Sequence, residues 1–70
     1  MNSYTINTDA VSSTIEAKDA DEAARKFAAD QGYQGVEDMD DLVETIEGMD
    51  GYITILEDDA AIVYRSKTAC

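Results

Sequence analysis

The spacing of apolar residues changes twice along this 70-residue chain, from two to about 3.6 and back, and this constrains the fold more than any other feature. Tyr4 and Ile6 alternate with Thr5 and Asn7, and Val11, Ser13 and Ile15 alternate with Ser12, Thr14 and Glu16. A period of two belongs to a half-buried strand. Strands are therefore expected over 3–7 and 11–17. The turn between them, Thr8-Asp9-Ala10, lacks an Asn-Gly or Asp-Gly signal.

The period then becomes helical. In DADEAARKFAADQG, Asp19 and Glu22 have capping-box spacing, and Gly32 stands where a left-handed C-terminal cap belongs. A helix over 20–31 follows, with Ala20, Ala23, Ala24, Phe27 and Ala28 as its apolar stripe. A second helix over 38–47 is expected from Met39, Leu42, Val43 and Ile46, with Asp38 as N-cap and Gly48 closing the other end.

YITILEDDAAIVYR reads as two strands, 52–57 and 60–65, joined by Asp58-Asp59. A two-residue loop there would set Ile55 opposite Ile62 and Ile53 opposite Tyr64, with Tyr52, Thr54, Val63 and Arg65 on the other face. The element order ββααββ predicts an α+β fold: an antiparallel sheet of about four strands with both helices on one face. Strand order is left open by the pattern. The chain reads as one compact domain over 1–70, with 66–70 (SKTAC) as a frayed tail.

With 44% hydrophobic residues the chain carries enough apolar surface for one core. A core this small rarely supplies more than roughly 3 to 5 kcal/mol of net stability. Cys70 is the single cysteine, so no intramolecular disulfide can form. MNSYTINTD has no basic region followed by an apolar run, and no run approaches membrane-spanning length. The expected location is cytoplasmic, without membrane association.

Sixteen acids against five bases give a net charge of −11, which disfavours direct binding to nucleic acid. Residues 27–64 hold eleven acids and no base. GVEDMDDLVETIEGMDG, residues 35–51, is the densest part. No catalytic constellation accompanies this charge. Histidine is absent, Cys70 has no neighbouring base, and serines 12, 13 and 66 have no partner that sequence nominates. An EF-hand frame starting at Asp38 would place Leu42 and Val43 at its fifth and sixth positions, and one starting at Asp50 would place Tyr52 at its third. Neither can hold calcium, and no cofactor is expected. The four tyrosines and Phe27 lack the basic surroundings of a base-stacking groove.

On a helix, Glu37, Asp40, Asp41, Glu44 and Glu47 fall on one face while Met39, Leu42, Val43 and Ile46 fall on the other. Five of these acidic pairs have i,i+3 or i,i+4 spacing, an electrostatic cost of roughly 1 to 2.5 kcal/mol in all. Glu44 and Glu47 also lie near the helix C-terminus, where the dipole favours cations. A solvated face on an acidic protein is the plain interpretation. The sharper one is a partner-binding surface, extended by Asp50, Glu57, Asp58 and Asp59 if the second hairpin's turn lies beside the stripe. Carboxylates along roughly 15 Å of helix approximate the charge density of one strand of duplex DNA.

In size, charge and element pattern the chain resembles the small acidic inhibitors that phages make against nucleic-acid-binding defence systems, including anti-CRISPR proteins and other DNA mimics. The resemblance rests on the acid-rich segment 37–59 and on no specific motif. It implies a non-enzymatic inhibitor that occupies the basic channel of a nucleic-acid-binding complex, such as a CRISPR effector, through Glu37, Asp40, Asp41, Glu44 and Glu47. A monomer is expected, with a dimer through Cys70 as the alternative. Two other readings stay open. One is a halophilic protein whose acids maintain solubility in salt; the other is an adaptor or antitoxin-type module that neutralises a basic protein.

Overall fold

A computed structural model describes residues 2–49, 51–58 and 60–66. It contains strands β1 (Asn2–Thr8) and β2 (Ser12–Ala17), helices α1 (Ala20–Gln31) and α2 (Met39–Gly48), and strands β3 (Ile53–Glu57) and β4 (Ala61–Arg65). This is the expected ββααββ order, in an α+β fold. The four strands form one antiparallel sheet in the order β2-β1-β3-β4, so the two hairpins join through β1 and β3.

Alternation decides which face each strand buries. Tyr4 and Ile6 of β1, Ala17 of β2, and Ile53 and Ile55 of β3 are buried. They meet Ala23, Ala24, Phe27 and Ala28 of α1 and Leu42, Val43 and Ile46 of α2 in one core. The small residues of α1 let the helix lie close to the sheet, and Phe27, fully buried, fills the space they leave. Ser3, Thr5 and Asn7, with Ser12, Thr14 and Glu16 opposite them, alternate onto the face away from the core.

The first hairpin closes without glycine. Thr8 N–H donates to the Val11 carbonyl at 2.8 Å, and the Thr8 hydroxyl accepts from Ala10 N–H at 3.2 Å and Val11 N–H at 3.0 Å. One threonine thus satisfies the turn from both sides.

Both predicted N-caps are present. Asp19 accepts from Glu22 N–H and Asp38 from Asp41 N–H, each at 2.8 Å. Glu22 accepts in turn from Lys18 N–H at 2.8 Å. Gly32 ends α1 with φ 83, the left-handed cap expected of it. The segment after it returns beside the core, where Tyr33 and Val36 pack, and delivers α2 to the start of α1. There Met39 N–H donates to Asp21 Oδ1 at 3.0 Å, placing the two helix N-termini side by side. Gly48, by contrast, is the last helical residue of α2 and the cap is Met49, with φ −98.

The second hairpin differs from the expected register. Glu57 pairs with Ala61, so the loop spans three residues, and Asp58 takes the left-handed conformation with φ 53. Leu56 pairs with Ile62 and Ile55 with Tyr64, so β4 advances two residues where β3 advances one. The extra residue is Val63, a β-bulge. It keeps Tyr64 on the core side, opposite Ile55 instead of Ile53, lets Val63 pack against the core edge, and places Ile62 on the open face at 60% exposure. The expected pairs Ile55/Ile62 and Ile53/Tyr64 therefore do not form.

Ser66, assigned from sequence to the tail, is instead buried. Its N–H donates to the Ile53 carbonyl at 3.0 Å, and its hydroxyl accepts from Ile53 N–H at 3.1 Å. Residues 67–70, including Cys70, lie outside the described residues. No helix among the described residues is long and apolar enough to cross a membrane.

Candidate functional site

The outward face of α2 carries Asp40, Glu44 and Glu47, all exposed, with exposed Glu37 just before the N-cap. The helix folds here because Leu42, Val43 and Ile46 bury its inner face and Asp38 caps its start. Asp40 to Glu47 is seven residues, about 10 Å along the axis.

The acids of the predicted stripe have different roles. Asp41 is half-buried and belongs to the cap: its Oδ2 accepts from Glu37 N–H at 3.2 Å while its own N–H donates to Asp38. Glu37 meets a cation that the sequence places twelve residues away, because Arg25 Nη1 donates to the Glu37 carbonyl at 3.0 Å. The positive charge of α1 thus bounds the acidic face at its start.

Glu47 holds two hydroxyls. Tyr64 OH and Ser66 Oγ each donate to Glu47 Oε2 at 2.6 Å, short charge-assisted bonds that tie the last turn of α2 to β4. The Ser66 bond, with the Tyr64 bond second, holds the Glu47 carboxyl below its usual range. The same contact with Glu47 pushes the Tyr64 phenol up. Tyr64 falls on the expected apolar face, but the shift that sets it opposite Ile55 rather than Ile53, and the burial of Ser66, had no signal in the sequence.

Asp40 and Glu44 remain. No hydrogen bond or ion pair reaches either carboxylate from the described residues, although Asp40 is near enough to help raise the Tyr64 phenol. Of the predicted extensions, Glu57 accepts from Asn2 Nδ2 at 3.1 Å and Tyr4 OH at 3.3 Å, and Asp58 Oδ1 accepts from Ser3 N–H at 3.2 Å. Both are therefore engaged with β1, at the end of β3 opposite Ile53 and Ser66. Asp50 and Asp59 lie outside the described residues.

Much of the acidity is thus used within the fold. Asp19, Asp21, Glu22, Asp38 and Asp41 all accept backbone N–H groups at or near the paired helix N-termini, where the dipoles favour negative charge. The charge left for a partner is concentrated on and just before α2, at the carboxylates of Glu37, Asp40 and Glu44, beside the engaged Glu47. Among the described residues no three His, Cys, Asp or Glu side chains converge as metal ligands would. No protein-family model, curated protein or solved structure matches the chain.

Proposed function

We propose that this is a non-enzymatic acidic binding protein. The outward face of α2, Glu37, Asp40, Glu44 and Glu47, docks into the basic groove of a nucleic-acid-binding protein and excludes the nucleic acid. This is the mode of action of the phage DNA-mimic inhibitors that the chain resembles.

The observation that carries the reading is the contrast between the acids bonded into the fold and Glu44, which like Asp40 and Glu37 has a carboxylate that no described residue bonds. The capping acids, Glu47, Glu57 and Asp58 each accept a defined hydrogen bond, whereas Glu44 accepts none from the described residues. It stands exposed in the second half of α2, with Asp40 and Glu47 as like-charged neighbours at i−4 and i+3. Its charge opposes folding on both counts, so its use is external. Glu47 adds a carboxylate held in place by Tyr64 and Ser66, which reduces the side-chain entropy lost when a cationic partner docks.

The test is retention of DNA-binding proteins from a lysate on the immobilised chain at low salt, with elution by duplex DNA. Proteins released by DNA, and lost when Asp40 and Glu44 are both replaced by lysine, support the reading. Equal retention by the parent and the double variant contradicts it.

A further inference from the structure

The two edge strands of the sheet are held differently. β2 buries Ala17 in the core, and Lys26 Nζ of α1 donates to the Glu16 carbonyl at 2.8 Å. β4 buries none of its five residues: Val63 and Tyr64 are half-buried against the core, and Ala61, Ile62 and Arg65 are exposed. Its pairing with β3 is also interrupted by the bulge at Val63. Apolar burial and regular pairing, which hold a strand to its sheet, are both reduced here.

The two ends of β4 are fixed instead. Before the strand, Asp58 is tied to β1, its N–H donating to the Ser3 carbonyl at 2.7 Å and its Oδ1 accepting from Ser3 N–H at 3.2 Å. After the strand, Ser66 is buried and holds Ile53 through both backbone groups of that residue. Among the described residues the helix layer bonds to β4 and Ser66 through one side chain, Glu47, whose Oε2 accepts from Tyr64 OH and Ser66 Oγ.

We infer that β4 is a strap that opens as a unit while the rest of the fold stays closed, hinged at the turn that Asp58 fixes to β1 and latched at its far end by Glu47. Opening breaks the pairing with β3 and the Glu47 cluster, and the core side chains it uncovers are those beneath half-buried Val63 and Tyr64. Global unfolding must in addition separate both helices from the sheet around Phe27, Leu42 and Ile55, so the strap opens at a lower free energy. The open state uncovers the outer edge of β3 and releases the Glu47 carboxylate from both hydroxyls. The acidic face of α2 thus has a closed state with Glu47 pinned and an open state with Glu47 free. The strap operates whether or not that face takes a partner.

Native-state hydrogen exchange of the full chain, followed by nuclear magnetic resonance with and without sub-denaturing urea, tests this. Ser66 N–H, buried and bonded to the Ile53 carbonyl, is the reporter, together with the amides bonded between β3 and β4. They are expected to exchange about tenfold or more faster than the bonded amides of β1 and α2, with little acceleration by urea, because a small opening exposes little surface. Glu47→Gln and Tyr64→Phe, which each weaken the latch by one group, are expected to accelerate them by about a further fivefold, still with little dependence on urea. Exchange of Ser66 N–H only through the urea-dependent opening shared with β1 overturns the inference, as does exchange at the native rate in both variants.

Discussion

Tyr64 donates its phenolic hydroxyl to Glu47 Oε2 at 2.6 Å, and Ser66 donates to the same oxygen at the same distance. An acid in the last turn of a helix is unfavourable to the dipole, yet here it closes the helix against the edge strand. Replacing Glu47 with Gln is therefore expected to destabilise the fold more than replacing Glu44 with Gln, although both residues are exposed acids on one helix face. Urea denaturation of the two variants checks this, the expected result being a lower midpoint for Glu47→Gln at an unchanged m-value.

The same cluster sets a pH dependence. Glu47 is held below its usual value of 4.5 by Ser66 and Tyr64, so its contribution is complete above that value. It is lost as pH falls through the depressed folded value. Tyr64 is raised above 10.0 by Glu47, so its contribution is complete below pH 10 and is lost as pH rises through the raised folded value. The stability difference between the native chain and Glu47→Gln is expected to be constant near neutrality and to narrow toward both extremes, as followed by thermal melts across pH.

Asp38 caps α2 through Asp41 N–H at 2.8 Å. Asp38→Ala is expected to cost about 1 kcal/mol. For a domain with a net stability of a few kcal/mol this is a visible loss in a chemical-denaturation curve. Asp19→Ala, at the start of α1, is expected to cost a similar amount for the same reason.

Glu44→Lys acts in the opposite direction. It turns the like-charge pairs with Asp40 and Glu47 into opposite-charge pairs and places a cation in the second half of the helix. The expected gain is about 0.5 to 1 kcal/mol, measured as a higher melting temperature at low salt that converges on the native value at 1 M salt.

The periodicity of apolar residues revealed most of this architecture, because alternation and 3.6-residue spacing leave few choices once both hairpins and both helices are present. Asp19, Asp38 and Gly32 announced the helix boundaries through local chemistry, and each acts as a cap in the structure. What escaped was tertiary. The Val63 bulge follows from how β4 packs, which a two-residue loop model of Asp58-Asp59 could not anticipate. It changed the face of Ile62 and moved Tyr64, on its expected face, from opposite Ile53 to opposite Ile55. The acidic stripe was legible as a face but not as a division of labour. Asp41 proved to be a capping residue, Glu57 and Asp58 are tied to β1, and Arg25 reaches Glu37 only because the helices share an N-terminal end.

The central claim is that the outward acids of α2, with Glu44 the one whose charge opposes the fold, serve a partner, and the Asp40→Lys/Glu44→Lys double variant tests it. Its stability and its capture of DNA-displaceable basic proteins are to be measured on the same preparation, against the native chain. A folded variant that has lost this capture is the predicted result, the gain from Glu44→Lys offsetting the first-turn acid lost at Asp40. Undiminished capture by the charge-reversed protein would contradict the account.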